Sequence, residues 1–472
     1  MIDLNDPSNS STEGTPVASQ RKHDNAVKEV LHIALPLMVS TGTFSLVLFA
    51  DRTLLLWYDG ISMSAAMAAG NLFWVCLCLP VGIVSMSGAV ISQHIGAGQD
   101  KQVGRLLWQS VWITFLTLPL FLVLGLSAET LFQITGQPSD LIPHQARYFQ
   151  ILMFGAAGML LEVALSGFFS GTERSRVIMW VSVATGLVNL IADFVLIFGA
   201  GPVPELGIAG AAIASVLAIW FKAFCYIGLV LRPKFENRYQ ILAGFTWDTV
   251  VFKRLLFFGF PAGLMHLVES GGFTAMMLRI GTLGDVSLRA TTMAINFNMV
   301  AFIPLVGLSI AASVLVGRHL LESGPREASK RVAASIGLGM VYSGAWLIAY
   351  LLLPDALLNL YRSEANGAES LEAMIIARTL FKFIACYVVF DAIQLILAGA
   401  LRGAGDTWFV LLAGFTVSVL AVAVGYGFEP AEQQLLWWWS VLTGWIIMLA
   451  IAMSLRFMQG RWKSMRMIET TN

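Results

Sequence analysis

The stretch YVVFDAIQLILAGALRGAGDT, residues 387–407, decides what kind of molecule this chain forms. It predicts an apolar helix that carries one carboxylate, Asp391, near its middle and the small residues Gly399 and Gly403 near its end. A carboxylate at that depth in a bilayer costs about 2.5 to 3.5 kcal/mol on insertion scales. Chains that keep such a residue generally use it for an ion, a proton or a substrate. We therefore interpret the rest of the sequence as a wall around this acid and a few others.

Composition supports a membrane protein along the whole chain. The 472 residues are 57% hydrophobic and only 12% charged, whereas soluble domains carry about 25% charged residues. The net charge is zero, which argues against nucleic acid as a partner. The four cysteines lie in apolar runs and the six histidines are dispersed, so we predict no disulfide framework, structural metal or cofactor.

The hydrophobic pattern predicts twelve membrane spans, since a span needs about 20 mostly apolar residues. Several predicted spans exceed 25 residues, so tilt or extension beyond the bilayer is expected. We expect an all-α, polytopic membrane protein, whose spans cover residues 30–58, 65–95, 106–126, 148–170, 176–199, 207–231, 255–281, 288–317, 333–353, 376–400, 407–427 and 434–457.

The distribution of Lys and Arg predicts the orientation. With both termini cytoplasmic, 21 of the 29 basic residues fall on the inner side and six on the outer side. The outer six are Arg147, Arg279, Arg289, Arg362, Arg378 and Lys382. Residues 1–29 are polar and lack the apolar core of a signal peptide, so we expect a disordered cytoplasmic tail. Residues 458–472 form a second cytoplasmic tail, and the expected location is a cell membrane, the inner membrane of a bacterium.

The basic connection at 232–254 divides the spans into two sets of six, 30–231 and 255–457. The halves resemble each other, because several residues recur at nearly constant offsets. We therefore predict two six-helix bundles related by a pseudo-two-fold axis along the membrane normal, with a site between them. At an offset of 225 the matches are Pro36 with Pro261, Ser45 with Ser270, Asn71 with Asn296, Gly82 with Gly307 and His94 with His319; at 232 they are Gly167 with Gly399 and Gly171 with Gly403.

Two acids of the first half point to one cation site. Asp51 and Asp193 both fall in the outer part of their predicted helices, and Asn189 precedes Asp193 by one turn on the same face. These three side chains are expected to share an oxygen-rich pocket. The alternative is that Asp51 pairs with a basic residue such as Arg52.

Two further acids, Glu269 and Asp391, fall inside spans of the second half and are expected to face each other. Carboxylate oxygens suit Na⁺, and two close acids also allow one of them to carry a proton. The alternative is that hydroxyl groups satisfy both acids, which then serve only to hold helices together.

Other polar residues inside spans remain open in function. Glu162 fits a structural polar contact as well as a functional one, and for Lys222 snorkelling toward the cytoplasm is the favoured interpretation. His266 lies one turn before Glu269 and either shares its site or bonds a neighbour. Pro36 is a candidate hinge, or else a first-turn residue without effect on shape.

No G-x-x-x-x-G-K-[ST] phosphate loop, H-E-x-x-H or G-x-S-x-G motif occurs in the sequence. The sequence therefore predicts no enzyme and no ATP site, so uphill transport would draw on an ion gradient.

Four motifs together resemble the multidrug and toxic compound extrusion (MATE) family. They are FDAIQLILAGALRGAGDT at 390–407, PELGIAGAAIAS at 204–215, FADRTLLLW at 49–57 and FPAGLMHLVESGGF at 260–273. The resemblance runs from about residue 30 to residue 457. It implies two bundles around a central cavity and export of cationic amphipathic drugs against inward Na⁺ or H⁺.

Residue by residue, the resemblance implies cation coupling at Glu269 and Asp391, which match acids of NorM-type members. Asp51 and Asn189 match positions of the N-terminal bundle that several branches share. Asp193 matches an acid typical of DinF-type members, and Pro36 a proline at which their first helix is proposed to bend. The loop GTERSRV at 171–177 departs from the Gly-rich version seen after helix ten.

The sequence therefore predicts a monomeric secondary exporter in a lipid bilayer, with small cationic or aromatic molecules as substrates. A flippase for a lipid-linked precursor is the alternative, although such a protein is expected to have a cationic cavity. A membrane enzyme acting on lipid is the third possibility, and the absence of a catalytic constellation argues against it.

Overall fold

The computed structural model describes residues 17–134, 139–199, 203–359 and 368–469, which form helices joined by short connections. No strand occurs in these ranges. The α-helices are α1 Val17–Tyr58, α2 Gly60–Ser85, α3 Ser87–Gly96, α4 Val103–Leu126, α5 Ala128–Ile134, α6 Ile142–Gly171, α7 Ser175–Phe198, α8 Ile208–Val230, α9 Pro233–Tyr239, α10 Thr249–Gly281, α11 Asp285–Glu322, α12 Pro325–Leu352, α13 Pro354–Leu358, α14 Ala368–Ala404, α15 Thr407–Gly427 and α16 Gln434–Gln459.

Twelve segments of the described chain are long and apolar enough to cross a membrane, which confirms the predicted number of spans. Ten of them are single helices, and the third adds a 3-10 turn, Asp100–Gln102, to the start of α4. The second is formed by α2 and α3, which join end to end at Met86. The even number of spans places both ends of the described chain on the same side. We call this side the basic side, because the sequence predicts that most Lys and Arg lie there.

The N-terminal helix begins earlier than expected. α1 starts at Val17, so the prediction of disorder is wrong for residues 17–29. This segment contains several good helix formers, and its last residue is fastened to the other half of the molecule: Glu29 accepts a hydrogen bond from Arg331 at 3.0 Å and lies 2.7 Å from His319. Residues 1–16 and 470–472 of the predicted tails, and Arg362 of the predicted outer set, lie outside the described residues.

Packing inside each bundle repeats in the other. In the first bundle a Cβ at Gly171 on α6 would lie 2.7 Å from the carbonyl oxygen of Gly88 on α3. In the second, a Cβ at Gly403 on α14 would collide with the backbone of Ser313 on α11. The two contacts are related by nearly the same sequence offsets that relate the halves. Only a residue without a side chain permits such close helix crossing.

The two bundles meet through a pair of glycine crossings that obey the same symmetry. A Cβ at Gly82 on α2 would collide with the backbone of α10 at Gly263, and a Cβ at Gly307 on α11 would lie 2.7 Å from the backbone of α1 at Leu37. Adding 225 to Gly82 gives Gly307, and adding 225 to the peptide of Leu37 and Met38 that Gly307 meets gives the peptide of Ala262 and Gly263 that Gly82 meets. Swapping the two halves thus converts one glycine crossing into the other, as a two-fold axis requires, which confirms the predicted pseudo-symmetry.

Contacts between the bundles close the basic side. Gly82 lies on the half of its span nearer that side, and a Cβ at Gly96, farther along, would collide with the backbone of Arg318 on α11. Arg318 also forms an ion pair with Glu173, just after α6. In the described part of the chain, every ion pair between the bundles lies at this end, with the pairs of Glu29 completing the set.

The connection between the bundles is fixed to the first of them. The indole of Trp108 on α4 donates to the carbonyl of Ile241 at 2.7 Å, and the amide of Gln109 donates to Thr246 at 2.8 Å. Asp248 caps α10 by accepting hydrogen bonds from the amides of Val250 and Val251. This part of the predicted linker is therefore an ordered strap on α4.

The C-terminal segment lies across both bundles on the basic side. Trp462, Met467 and Ile468 are buried. Gln93 of α3 joins the segment to the second bundle, because its side chain accepts from the amide of Met467 at 2.8 Å and donates to the carbonyl of Gly403 at 3.0 Å. We call residues 460–469 the C-terminal strap. It fastens the two bundles together at the end where they touch.

Candidate functional site

Two of the predicted acids meet inside the first bundle. Asp51 on α1 is 7% exposed and Asp193 on α7 is fully buried. Their carboxyl groups lie within hydrogen-bond reach of each other, and the hydroxyl of Ser215 on α8 donates to Asp51 at 3.4 Å. Oxygen atoms from α1, α7 and α8 thus lie close together at one position. Asn189 is also buried, one turn from Asp193 on the same face of α7.

Most oxygen atoms of this carboxyl pair have no hydrogen-bond partner among the described residues. One oxygen of Asp51 and both oxygens of Asp193 are buried without a hydrogen-bond donor in the described structure. Among the described residues neither acid belongs to an ion pair, but Arg52, the neighbour of Asp51 in the sequence, interacts electrostatically with it. The alternative that Asp51 pairs with Arg52 therefore stays a prediction. Leaving such groups unsatisfied costs about 1 to 3 kcal/mol each, and more when they are charged. A proton or a metal cation between the carboxylates removes that cost.

Two residues near the pair were not predicted from the sequence. Ser215 is the last residue of the motif PELGIAGAAIAS, and its position on α8 brings its hydroxyl to Asp51. Tyr148 on α6 forms a hydrogen bond with Ser215 and interacts electrostatically with both acids. The signal for Ser215 was present, as a small hydroxyl residue in an otherwise apolar run. Tyr148 carries no comparable signal, because aromatic residues are common along all spans.

The acids of the second bundle are placed differently. Asp391 on α14 is 6% exposed, whereas the side chain of Glu269 on α10 is 36% exposed. The two carboxylates interact electrostatically, which places them in one region as expected. Ser270, beside Glu269, bonds Cys78 of α2. Glu269 therefore lies next to the seam between the bundles and is partly exposed, while Asp391 is more deeply buried.

Basic groups approach this second site more closely than the sequence predicts. The ring of His266 is 4.0 Å from Glu269. The guanidinium of Arg402 donates to Ser309 at 3.2 Å and interacts electrostatically with Glu269. The sequence assigns Arg402 to the cytoplasmic surface, but its side chain reaches back into the bundle from the end of α14.

Buried polar atoms without partners mark the interior of the second bundle. They are the hydroxyls of Tyr387 and Ser418 and the indole nitrogen of Trp445. Tyr387 lies one turn before Asp391 on α14 and interacts with it electrostatically. Ser418 and Trp445 both pack on Gly272, one turn beyond Glu269. Such atoms need water, an ion or a ligand to satisfy them, and the cation role of Glu269 and Asp391 stays a prediction.

Two other polar residues of the first bundle neutralise each other. The ammonium of Lys222 on α8 is 2.8 Å from a carboxylate oxygen of Glu162 on α6. The favoured interpretation that Lys222 snorkels to the surface is therefore wrong. A cation in a long apolar segment either reaches water or finds a partner, and the sequence alone does not show which helix is adjacent.

Pro36 lies in the interior of α1, and Pro261, its counterpart, in the interior of α10. The alternative that Pro36 is a first-turn residue is therefore wrong. α1 continues through Pro36 to Tyr58, and the hinge role of Pro36 stays a prediction.

Two matched six-helix bundles, each with acids in its interior, are an arrangement typical of membrane transporters. The family model MatE matches residues 36–195 and 261–427, and the chain belongs to the MatE family. The two matched segments begin at Pro36 and Pro261, the first pair of residues related by the internal repeat.

Relatives and solved structures agree with this assignment. The chain is 28% identical over 434 residues to the "Multidrug resistance protein NorM" of Burkholderia vietnamiensis, covering 91% of this chain and 93% of that one. It is 28% identical over 443 residues to the "Multidrug resistance protein PmpM" of Pseudomonas aeruginosa, with 91% of each chain covered. A structure titled "Outward-facing conformation of a multidrug resistance MATE family transporter of the MOP superfamily" superposes with a TM-score of 0.82 at 18% identity, over 95% of this chain and 98% of that one.

Proposed function

We propose that the protein is a secondary active exporter of cationic amphipathic compounds, driven by the inward movement of Na⁺ or H⁺. The observation that supports this most strongly is the carboxyl pair of Asp51 and Asp193, which is buried with three of its four oxygens lacking a hydrogen-bond partner among the described residues. A structural pair of acids has no advantage over apolar residues at that position. A pair of acids that takes up and releases a cation has such an advantage, because the cation needs its carboxylate oxygens.

The charges inside the molecule favour a cationic substrate. Glu269 and Asp391 add two further acids to the region between and within the bundles. The relatives are named as multidrug resistance proteins, and this chain shares with them nearly its full length. Substrates that combine a positive charge with aromatic surface fit a partly acidic, largely apolar chamber.

The closed basic side fits alternating access. Under the positive-inside rule the basic side is cytoplasmic, so both termini are cytoplasmic and the bundles touch at their cytoplasmic ends. The state described here is then one in which the chamber opens outward. Transport requires the crossings at Gly82 and Gly307 to separate, together with the ion pairs of Glu29 and the C-terminal strap.

Ion binding and substrate release are coupled through charge. A cation that binds the acids from outside neutralises them, and an organic cation held by the same field is then bound more weakly. Two unit charges about 4 Å apart interact by about 4 kcal/mol at an effective dielectric constant near 20. A change of that size is sufficient to drive release, since every 1.4 kcal/mol changes an affinity tenfold.

The test is transport in proteoliposomes under an imposed Na⁺ gradient and, separately, an imposed pH gradient. The variants are Asp51→Asn, Asp193→Asn, Glu269→Gln and Asp391→Asn, with Glu429→Gln in the connection between α15 and α16 as the matched control. We expect gradient-driven export of a cationic dye by the wild type and the control, and loss in the variants of the coupling bundle. Retention of full export by all four variants would refute the proposal, and lipid movement without dye export would favour a flippase instead.

A further inference from the structure

The ion pair of Glu162 and Lys222 lies in the same bundle as the carboxyl pair but is not part of it. The ammonium and carboxylate are 2.8 Å apart, and the side chains are 17% and 19% exposed. This is the one Lys of the described spans whose partner is a Glu on a different helix of the same bundle. Its position relative to Asp51 and Asp193 gives it a role beyond holding two helices together.

The helical repeat places Lys222 on the inner face of α8. Ser215, which donates to Asp51, precedes Lys222 by seven residues. Seven residues are nearly two full turns, so the two side chains share a face and are separated by about 10 Å along the helix. The side chains of Leu217 and Phe224, 51% and 62% exposed, lie on the lipid-facing side of α8. Lys222 therefore points toward the same interior as the carboxyl pair.

Close packing of α6 on α8 brings Glu162 to that lysine. A Cβ at Gly155 would lie 2.9 Å from Val216, and a Cβ at Gly158 would lie 3.0 Å from Ile219. These two glycines let the helices approach each other one and two turns before Glu162. At that separation a glutamate side chain spans the gap to Lys222, which explains why the pair forms here.

An unpaired Lys222 would oppose cation binding at Asp51 and Asp193. If the axial spacing of Ser215 and Lys222, about 10 Å, is taken as the separation of the charges, two like unit charges repel by roughly 1 to 2 kcal/mol at an effective dielectric constant near 20, equivalent to a loss of roughly tenfold in cation affinity. The carboxylate of Glu162 cancels that repulsion, because the ion pair as a whole is neutral. The electric field of such a pair falls off with distance faster than that of a single lysine.

We propose that Glu162 tunes the cation affinity of the carboxyl pair by neutralising Lys222. It acts on the site indirectly, as a positioning residue that does not itself contact the cation. The inference rests on the proposed function, since it assigns cation binding to Asp51 and Asp193. It assigns a purpose to a buried ion pair that apolar residues could replace if only helix packing were required.

The experiment measures Na⁺ affinity of the purified full-length protein by calorimetry in detergent at one pH. The series is wild type, Glu162→Gln, Lys222→Met and the double variant Glu162→Gln/Lys222→Met. We expect Glu162→Gln to weaken Na⁺ binding roughly tenfold, the double variant to restore it, and Lys222→Met to bind at least as tightly as the wild type. If the wild type binds no Na⁺, the same series is followed as proton affinity by tryptophan fluorescence against pH, with the same expected order.

The double variant and one control separate tuning from folding. Equal weakening in Glu162→Gln and in the double variant would show a packing role only and would overturn the inference, as would unchanged affinity in Glu162→Gln. Glu429→Gln removes the same charge from the ion pair with Arg279 at the far end of the other bundle and is expected to leave affinity unchanged. Undiminished cation binding by Asp51→Asn/Asp193→Asn would instead refute the proposed function itself.

Discussion

Replacing Asp193 by Asn is expected to make the ion-free protein more stable and, at the same time, insensitive to the coupling ion. Asp193 is fully buried beside Asp51, and both of its oxygens lack donors. Asparagine has nearly the same volume, so the substitution changes charge and leaves packing intact. Stability and ion response should therefore move in opposite directions, which an ordinary damaging substitution does not produce.

The size of the effect follows from the geometry of the pair. Two carboxylates about 4 Å apart repel by about 4 kcal/mol at an effective dielectric constant near 20, and protonation of one carboxyl lowers that figure. We expect Asp193→Asn to raise the free energy of unfolding of the ion-free protein by about 1 to 3 kcal/mol. In the wild type, an ion at 100 times its dissociation constant should add about 2.7 kcal/mol, and the variant should gain almost none of this.

The assay is thermal unfolding of both proteins in detergent, with Na⁺ varied at constant ionic strength in one series and pH varied in another. Choline replaces Na⁺, so that screening stays constant. Asp391→Asn provides the comparison in the second bundle and shows which bundle responds to the ion. Destabilisation of Asp193→Asn without ion, or an ion response equal to that of the wild type, would refute the assignment of this pair as a cation site.

Three further predictions test the surroundings of the site. Gly82→Leu should hold the basic side open, because a Cβ there collides with the backbone of Gly263. In a protein without the other cysteines, maleimide labelling of the buried Cys78 should then increase at least tenfold, and unchanged labelling would contradict the close contact of α2 with α10. A chain that ends at residue 464 should lose about 3 kcal/mol or more of stability, because Met467 and Ile468 are buried; chemical denaturation measures this, and full stability would show that the C-terminal strap is not a fastening. Burial alone would raise the pKa of Glu429, but hydrogen bonds from Arg279 and Trp438 outweigh it and hold this pKa below the ordinary value. The ion pair of Glu429 and Arg279 therefore stabilises the fold above pH 4.5, and its contribution is lost as the pH falls below that value. Glu429→Gln should remove this part of the pH dependence of unfolding, and an unchanged pH profile would contradict the prediction.

Local pattern was sufficient to predict the architecture. Each span is a run of apolar residues whose length is set by the bilayer, so twelve spans could be counted without knowing how they pack. The internal repeat was readable because the crossings at Gly82 and Gly307 tolerate no side chain. The start of α1 was wrong, because a polar helix beyond the bilayer has no hydrophobic signal and Glu29 finds its partners only on distant helices.

The acids of the candidate site were also found from the sequence, since a carboxylate inside an apolar run is conspicuous wherever it occurs. Their partners could not be found in that way. The pairing of Lys222 with Glu162 depends on how closely α6 approaches α8, and the reach of Arg402 into the bundle depends on the direction of a long side chain. These are properties of helix packing, which hydrophobic periodicity does not specify.

The burial of the C-terminal strap could be predicted only in part from the sequence. Its sequence, GRWKSMRMIE, alternates basic with large apolar residues, which is consistent with a solvated tail or with a segment that packs on a surface. Only the groove between the bundles, with Gln93 at its centre, decides between them.

Competition between an inorganic and an organic cation tests the central claim most directly. The binding of a fluorescent cationic dye to the purified protein is measured at increasing Na⁺ at constant ionic strength, and again at decreasing pH. Our account predicts that the dissociation constant of the dye rises with the coupling ion, that the dye weakens the ion by the same factor, and that neutralising the acids of the coupling bundle abolishes both effects. Dye and ion that bind together without affecting each other, in the wild type, would contradict it.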